Sequence, residues 1–191
     1  SGVLLVHCGR LSPEKEPQRS VESLIELRSR GIDARLVIIG TGPMWKKIRE
    51  MAKGHPIDTL GYISDRNRVS TILASADLSL APGPLETFCL AALESLASGT
   101  PVVASSSSAV GEFLLRDIAH PSGAVASDNA VSFANAISEV LADPSMRKKA
   151  REIAESMPWD STVLHMLEVH GIPVVGHSAQ ITSVKRHLKA S

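Results

Sequence analysis

The chain has 191 residues, and its 20 Lys and Arg balance its 20 Asp and Glu, which excludes an electrostatic nucleic-acid binder because affinity for phosphate backbone comes from excess positive charge. Aromatic residues make up 3% of the sequence, too few for a base-stacking platform. The length corresponds to one domain or at most two small ones.

The balance is uneven along the chain. Residues 1 to 60 hold ten of the twenty bases and seven of the twenty acids, whereas residues 61 to 145 hold three bases and nine acids. An anion site is therefore expected toward the amino end. Cys8 and Cys89 lie far apart with no metal-type spacing, so the sequence points to a reducing compartment rather than a disulfide framework or a zinc site. No apolar run reaches the roughly 18 residues of a membrane span. Ser1 stands directly before an apolar strand without a signal peptide, and the chain reads as a piece of a larger cytoplasmic protein.

Val3 to Cys8 is an apolar run closed by Gly9, a buried strand. Ser12-Pro13 then caps a helix, with Pro17 forcing a loop or a second start near Gln18 and Gly31 ending it. Ala34 to Ile39 is the second strand, followed by the tight turn Gly40-Thr41-Gly42-Pro43 and a helix over Met44 to Lys53. Ile57 to Tyr62 is the third strand; Asp65 caps a helix reaching Ala74. Ala76 to Leu80 is the fourth strand. Pro82-Gly83-Pro84 precedes a long helix from Glu86 to Ser98, and Pro101 to Ala104 is the fifth strand. A serine-rich loop, a helix around Gly111 to Leu115, and two amphipathic helices at 129–142 and 144–156 complete the pattern. This alternation predicts an α/β fold, a doubly wound Rossmann-like parallel sheet, with a ligand at the carboxyl ends of the strands. Residues 171–191, with Lys185-Arg186-His187-Lys189 near the end, read as a linker or docking tail, either solvated or touching acidic lipid.

Two loops carry candidate chemistry. Arg10 and Lys15 lie five residues apart beside a helix start and suit two phosphate groups, one gripped bidentately and one met by a point charge; they are also compatible with plain surface charges. Glu86 and Glu94 are eight apart. On one helix they would be separated by ~80° and ~12 Å of rise. That exceeds the ~5 to 9.5 Å of a carboxylate dyad acting on one bond and suits two ends of an extended polar ligand. A first-turn acid and a mid-helix surface acid would give the same spacing. His7, inside the first strand, reads as a core or rim histidine. P-loop, zincin and nucleophile-elbow motifs are absent, and Gly40-Thr41-Gly42 lacks the third glycine of a dinucleotide fingerprint.

Taken in order, GRLSPEK, GTGP and LETFCLAALESLASGTPVVAS resemble the carboxyl-terminal, donor-binding domain of retaining GT-B glycosyltransferases of glycosyltransferase family 4, over about residues 3 to 165. The wording around APGPLETFCLAALESLASGTPVV is most similar to actinobacterial mannosyltransferases that use GDP-mannose for glycolipid assembly. The resemblance implies one half of a GT-B fold, with residues 1–170 binding the nucleotide sugar and an amino-terminal acceptor domain lying elsewhere. It places Arg10 and Lys15 at the donor diphosphate, Glu86 at the hexose hydroxyls and Glu94 at the ribose. Backbone amides around Thr87, Phe88, Cys89 and Leu90 would approach sugar and phosphates, while Gly9 belongs to the diphosphate loop and Gly42, Tyr62 and Ile63 flank the nucleobase. Arg10, Lys15 and Glu86 are the residues assigned to catalysis.

The same resemblance implies hexosyl transfer, specifically mannosyl transfer, to a lipid-linked or carbohydrate acceptor without a metal or other cofactor, at the cytoplasmic face of the plasma membrane and without nucleic acid. The alternatives are a non-catalytic nucleotide-binding or interaction module, or a transferase using UDP-glucose or another UDP-sugar. Three positions depart from the family pattern. Cys89 stands where the family carries Gly, Pro84-Leu85 precedes Glu86, and Ser108-Ala109-Val110-Gly111-Glu112 replaces a Gly-Gly loop, so no role is assigned to Glu112.

Overall fold

The computed structural model of the chain describes residues 2–117, 119 and 121–172. Six parallel strands form one sheet: β1 (Val3–Cys8), β2 (Ala34–Ile39), β3 (Ile57–Gly61), β4 (Leu78–Ala81), β5 (Val102–Ser105) and β6 (Gly123–Ala126). Their order is β3-β2-β1-β4-β5-β6. The chain winds outward from β1 through β3, then returns to place β4 on the other side of β1. That reversal opens a crevice above the carboxyl ends of β1 and β4, where sheets of this kind bind ligands.

The helices are α1 (Pro17–Ser29), α2 (Trp45–Ala52), α3 (Arg66–Ser75), α4 (Leu90–Ala97), α5 (Val110–Leu114), α6 (Ala130–Ala142), α7 (Met146–Glu155) and α8 (Trp159–Val169). Strand and helix alternate because both faces of a parallel sheet must be covered. Leu5, Leu36, Leu78 and Leu80 pack with Leu24 and Leu27 of α1 and Phe133 and Ile137 of α6, all fully buried or nearly so. On a second cluster, Val6 and Ile39 meet Leu73 of α3 and Ala76. The first compact unit ends at Glu155; the second begins at Ser156 and holds α8, which has no buried residue.

Several boundaries differ from the sequence reading, each for a local reason. Pro13–Lys15 forms a single 3-10 turn, and Glu16 adopts a left-handed conformation (φ 45°) before α1 starts at Pro17, where a missing N–H costs nothing. The expected helix from Glu86 begins only at Leu90, because Cys89 at φ 61°, ψ 79° breaks the helical path. Glu86 is therefore a loop residue, and the two-turn helical relation to Glu94 does not exist. Strand β6 was not anticipated: Gly-Ala-Val-Ala is four residues long and carries no alternation. Helix α8 was not anticipated either: it has no fully buried residue and so offers no recognisable buried stripe. Asp65 does cap α3, accepting from the Asn67 and Arg68 amides at 2.9 and 3.3 Å, and Asn129 caps α6. The tail expected at 171–191 lies outside the described residues apart from Gly171 and Ile172.

Candidate functional site

The loops after β1, β2 and β3 are stitched together by backbone hydrogen bonds. Gly9 N–H donates to Ile39 O, Leu11 N–H to Thr41 O, Met44 N–H to Leu11 O and Gly40 N–H to Gly61 O, all at 2.8 to 3.0 Å. Gly40 shows why this turn needs glycine: at φ 130° a Cβ would stand 1.9 Å from Gly9 O. Gly42 plays a similar packing part, its would-be Cβ lying 2.4 Å from Leu11 O. The floor above the sheet is thus bare, fixed backbone.

Two cavities share that floor, and Cys8, Gly9 and Arg10 line both. The first, about 690 Å³, is walled by Ile39, Tyr62, Ile63, Val69 and Leu73, with Glu94 on its far side. The second, about 620 Å³, is lined by Lys15, Gly83 and the run from Glu86 to Leu90. The expected residues therefore separate into two groups, with exposed Arg10 at the boundary. Gly42 lines neither. Glu94 is exposed, held in place because Ser95, next to it, lies buried with Oγ 2.9 Å from Ser79 Oγ of β4.

The second cavity is built around an ion pair. Lys15 Nζ donates to Glu86 Oε1 at 2.5 Å, the Glu86 side chain 10% exposed and that of Lys15 34%. Sequence spacing of 71 residues conceals this contact; only the β1 and β4 adjacency creates it. The Glu86 loop is fixed further by its carbonyl, which accepts from Ala109 N–H at 2.9 Å. Ala109 sits on the serine-rich loop, and Asp128 tethers that loop by accepting from Ser105 Oγ at 2.6 Å and Ser107 Oγ at 2.9 Å. Asp128 was not singled out in the sequence; the signal it offers is an acid two residues past a short apolar run, which is weak.

Cys89 carries the positive φ that favours glycine, so its backbone retains the glycine-like path although the residue has changed. Its thiol is pushed up to about 11 by burial, with the Glu86 carboxylate as the next cause. Cys8 is likewise raised to about 11, by burial first and then by Glu94 and Cys89. Neither is a nucleophile at neutral pH. His7 is buried, with Nδ1 2.9 Å from Ser20 Oγ of α1, and burial pushes its pKa down to about 4. Among the described residues its Nε2 has no hydrogen-bond partner. An unmet buried polar group of this kind costs about 1 to 3 kcal/mol.

Ser64, Arg66 and Ser70 also line the first cavity and escaped the sequence reading. Their position follows from the Asp65 cap, which turns the start of α3 toward the crevice. Among the described residues, no three His, Cys, Asp or Glu side chains cluster in a way that could hold a metal ion. Also among them, no helix is long and apolar enough to cross a membrane.

Chemically, the arrangement offers one cation at the boundary of two cavities, a second cation paired to a carboxylate on one side, and an exposed carboxylate on the other. An elongated ligand with anionic middle, hydroxyl-bearing ends and one flat apolar group matches that order. Similar proteins share the frame. The chain is 47% identical over 175 residues to the GDP-mannose-dependent alpha-(1-6)-phosphatidylinositol dimannoside mannosyltransferase of Mycobacterium tuberculosis (strain ATCC 25177 / H37Ra), a match covering 91% of this chain and 45% of that protein. It spans less than half the length of that relative. Among solved structures, a sucrose-phosphate synthase from Thermosynechococcus elongatus superposes with a TM-score of 0.72 at 24% identity, covering 89% of this chain and 45% of the other. The catalytic domain of cholesterol-alpha-glucosyltransferase from Helicobacter pylori gives 0.68 at 24% identity, covering 82% of this chain and 97% of that domain. These two likenesses establish the shared GT-B half-fold. Residues 2–157 match the family described as glycosyl transferases group 1, and the chain belongs to that family.

Proposed function

We propose that this chain is the donor-binding half of a retaining glycosyltransferase that moves a mannosyl group from GDP-mannose to a lipid-linked or carbohydrate acceptor. The observation that carries the reading is the pair of cavities meeting at Arg10: one with an Ile39, Val69 and Leu73 wall, Arg66 and Glu94 on its lining and room for a nucleobase and ribose, the other bounded by the Lys15–Glu86 ion pair. The name of the mycobacterial relative supplies the donor and suggests a phosphatidylinositol-linked acceptor. The remaining length of such a relative would supply the acceptor domain, and the complete enzyme would work at the cytoplasmic membrane face.

In this reading the bond from the anomeric carbon to the diphosphate breaks while an acceptor hydroxyl oxygen bonds to that carbon on the same face, its proton passing to the departing diphosphate oxygen. Negative charge grows on the departing diphosphate. Arg10 and Lys15 neutralise it, assisted by the backbone amides at the start of α4, and each such donor lowers the barrier by about 2.7 to 4 kcal/mol. Divalent metal is not needed because these groups provide the charge. Lys15 must leave Glu86 to reach the phosphate, and Glu86 is then released toward sugar hydroxyls. Glu94 receives the ribose, with Tyr62 and Ile63 against the base.

Calorimetry of the chain with GDP, GDP-mannose, UDP and UDP-glucose tests this. The guanine compounds are expected to bind more tightly than the uracil ones, equally well with and without a chelator. Arg10→Ala should weaken GDP by about 10- to 150-fold, the range for a lost charged hydrogen bond. Tighter binding of UDP-glucose would move the chain to a different donor. Absence of binding by all four would remove the donor site altogether.

A further inference from the structure

His7 borders the charged cavity but has no part in the charge arrangement around it. It lies near the end of β1, is 3% exposed, and lines the cavity holding Lys15 and Glu86 while standing outside the neighbouring one. The ring is anchored on one side by Ser20 Oγ, and Nε2 is buried without a hydrogen-bond partner among the described residues. Buried polar atoms in folded proteins are satisfied almost without exception, so an unmet one on a residue that lines an open cavity is where a bound ligand can supply the partner. The Ser20 hydroxyl has no other partner among the described residues; donating its proton to Nδ1 satisfies it and leaves the ring proton on Nε2.

The chemistry of the missing partner follows from what already lines the cavity. A phosphate oxygen would draw on Arg10 and Lys15, to which a neutral ring adds little. A sugar hydroxyl both donates and accepts, so it satisfies Nε2 in either tautomer. We propose that His7 is a specificity-determining residue whose Nε2 hydrogen-bonds a hydroxyl of the hexosyl group when the donor occupies this cavity. This rests on the donor-site reading above, and it assigns recognition of the sugar to a strand residue as well as to Glu86.

The test pairs GDP-mannose with GDP as probes of the 191-residue chain, since the ratio of their affinities isolates the sugar. His7→Phe keeps the ring shape and removes the hydrogen bond; it is expected to reduce that ratio about two- to tenfold with GDP affinity held within about twofold. A purely structural role would move both affinities together, and an unchanged ratio overturns the proposal. His7→Gln, which retains a polar terminus, should recover part of the loss. If His7→Phe does not fold, nitrogen chemical shifts of His7 in the unaltered chain decide: Nε2 should shift with GDP-mannose and not with GDP, and equal shifts with both overturn the assignment. Failure of the unaltered chain to bind either probe removes the donor-site reading and this inference with it. Binding of both with an unaltered ratio removes His7 alone.

Discussion

The two cavities beside β1 are close in volume, about 690 and 620 Å³, yet they are made by different physics. The first is walled by side chains that the sheet and α3 would bury in any case, Ile39, Val69 and Leu73 among them, so its shape is a by-product of core packing. The second is held by long-range polar contacts: Lys15 to Glu86, Glu86 O to Ala109 N–H, and Asp128 to the serine loop. It is also lined by the left-handed Cys89 and by His7, whose Nε2 is unmet among the described residues. The contrast teaches that one side of the crevice is shaped as a consequence of core packing, while the other, with its pre-paired charges and left-handed backbone, is set by contacts that strand order alone brings together.

The largest test of that contrast is acidification. His7 has its pKa pushed down to about 4 from 6.5, so the unfolded chain takes up a proton that the folded chain refuses. Its contribution to stability is intact above about pH 6.5 and is lost as pH falls toward 4, by about 3 kcal/mol in total. Urea midpoints followed from pH 7 to pH 4 should show this decline, and His7→Phe should flatten it; an equal slope in the variant would break the link to the charged side. A smaller effect belongs to the apolar side. Asp65→Ala removes the α3 cap and should lower stability by about 1 kcal/mol, seen in the urea midpoint, without altering the ratio of GDP-mannose to GDP affinity. The smallest is Cys89→Gly. Relief of the positive φ outweighs the added chain entropy, and thermal unfolding should show a gain of about 0.5 kcal/mol. A loss there would mean the thiol packs better than its backbone suggests.

The fold was largely legible because β1, β2, β4 and β5 are short apolar runs closed by turn residues, the plainest signal of a parallel sheet. β6 escaped because four small residues carry no period, and α8 because it buries no residue fully. The false helical start at Glu86 has a clear cause: Glu-Thr-Phe-Cys has no residue type that forbids a helix, and the break is a backbone angle at Cys89. The motif positions Arg10, Lys15, Glu86 and Glu94 converge on one crevice, since strand-end loops of adjacent strands must meet there. What spacing could not convey is that Lys15 and Glu86 hold each other, that Glu94 lines the other cavity, or that Ser64 and Arg66 join it there. Those facts depend on strand order, a property of the assembled sheet.

The bare floor formed by Gly9, Gly40 and their stitched loops limits how such a pocket can be retuned. A side chain introduced at Gly40 would collide with backbone, which cannot step aside as a flexible neighbour would. With the donor bound as proposed, inherited or engineered changes in ligand choice would be channelled to the rim, to Tyr62, Ile63, Thr87 and Phe88, where residues are partly or largely open to solvent. The foundation is conservative by geometry, and variety is confined to its edge.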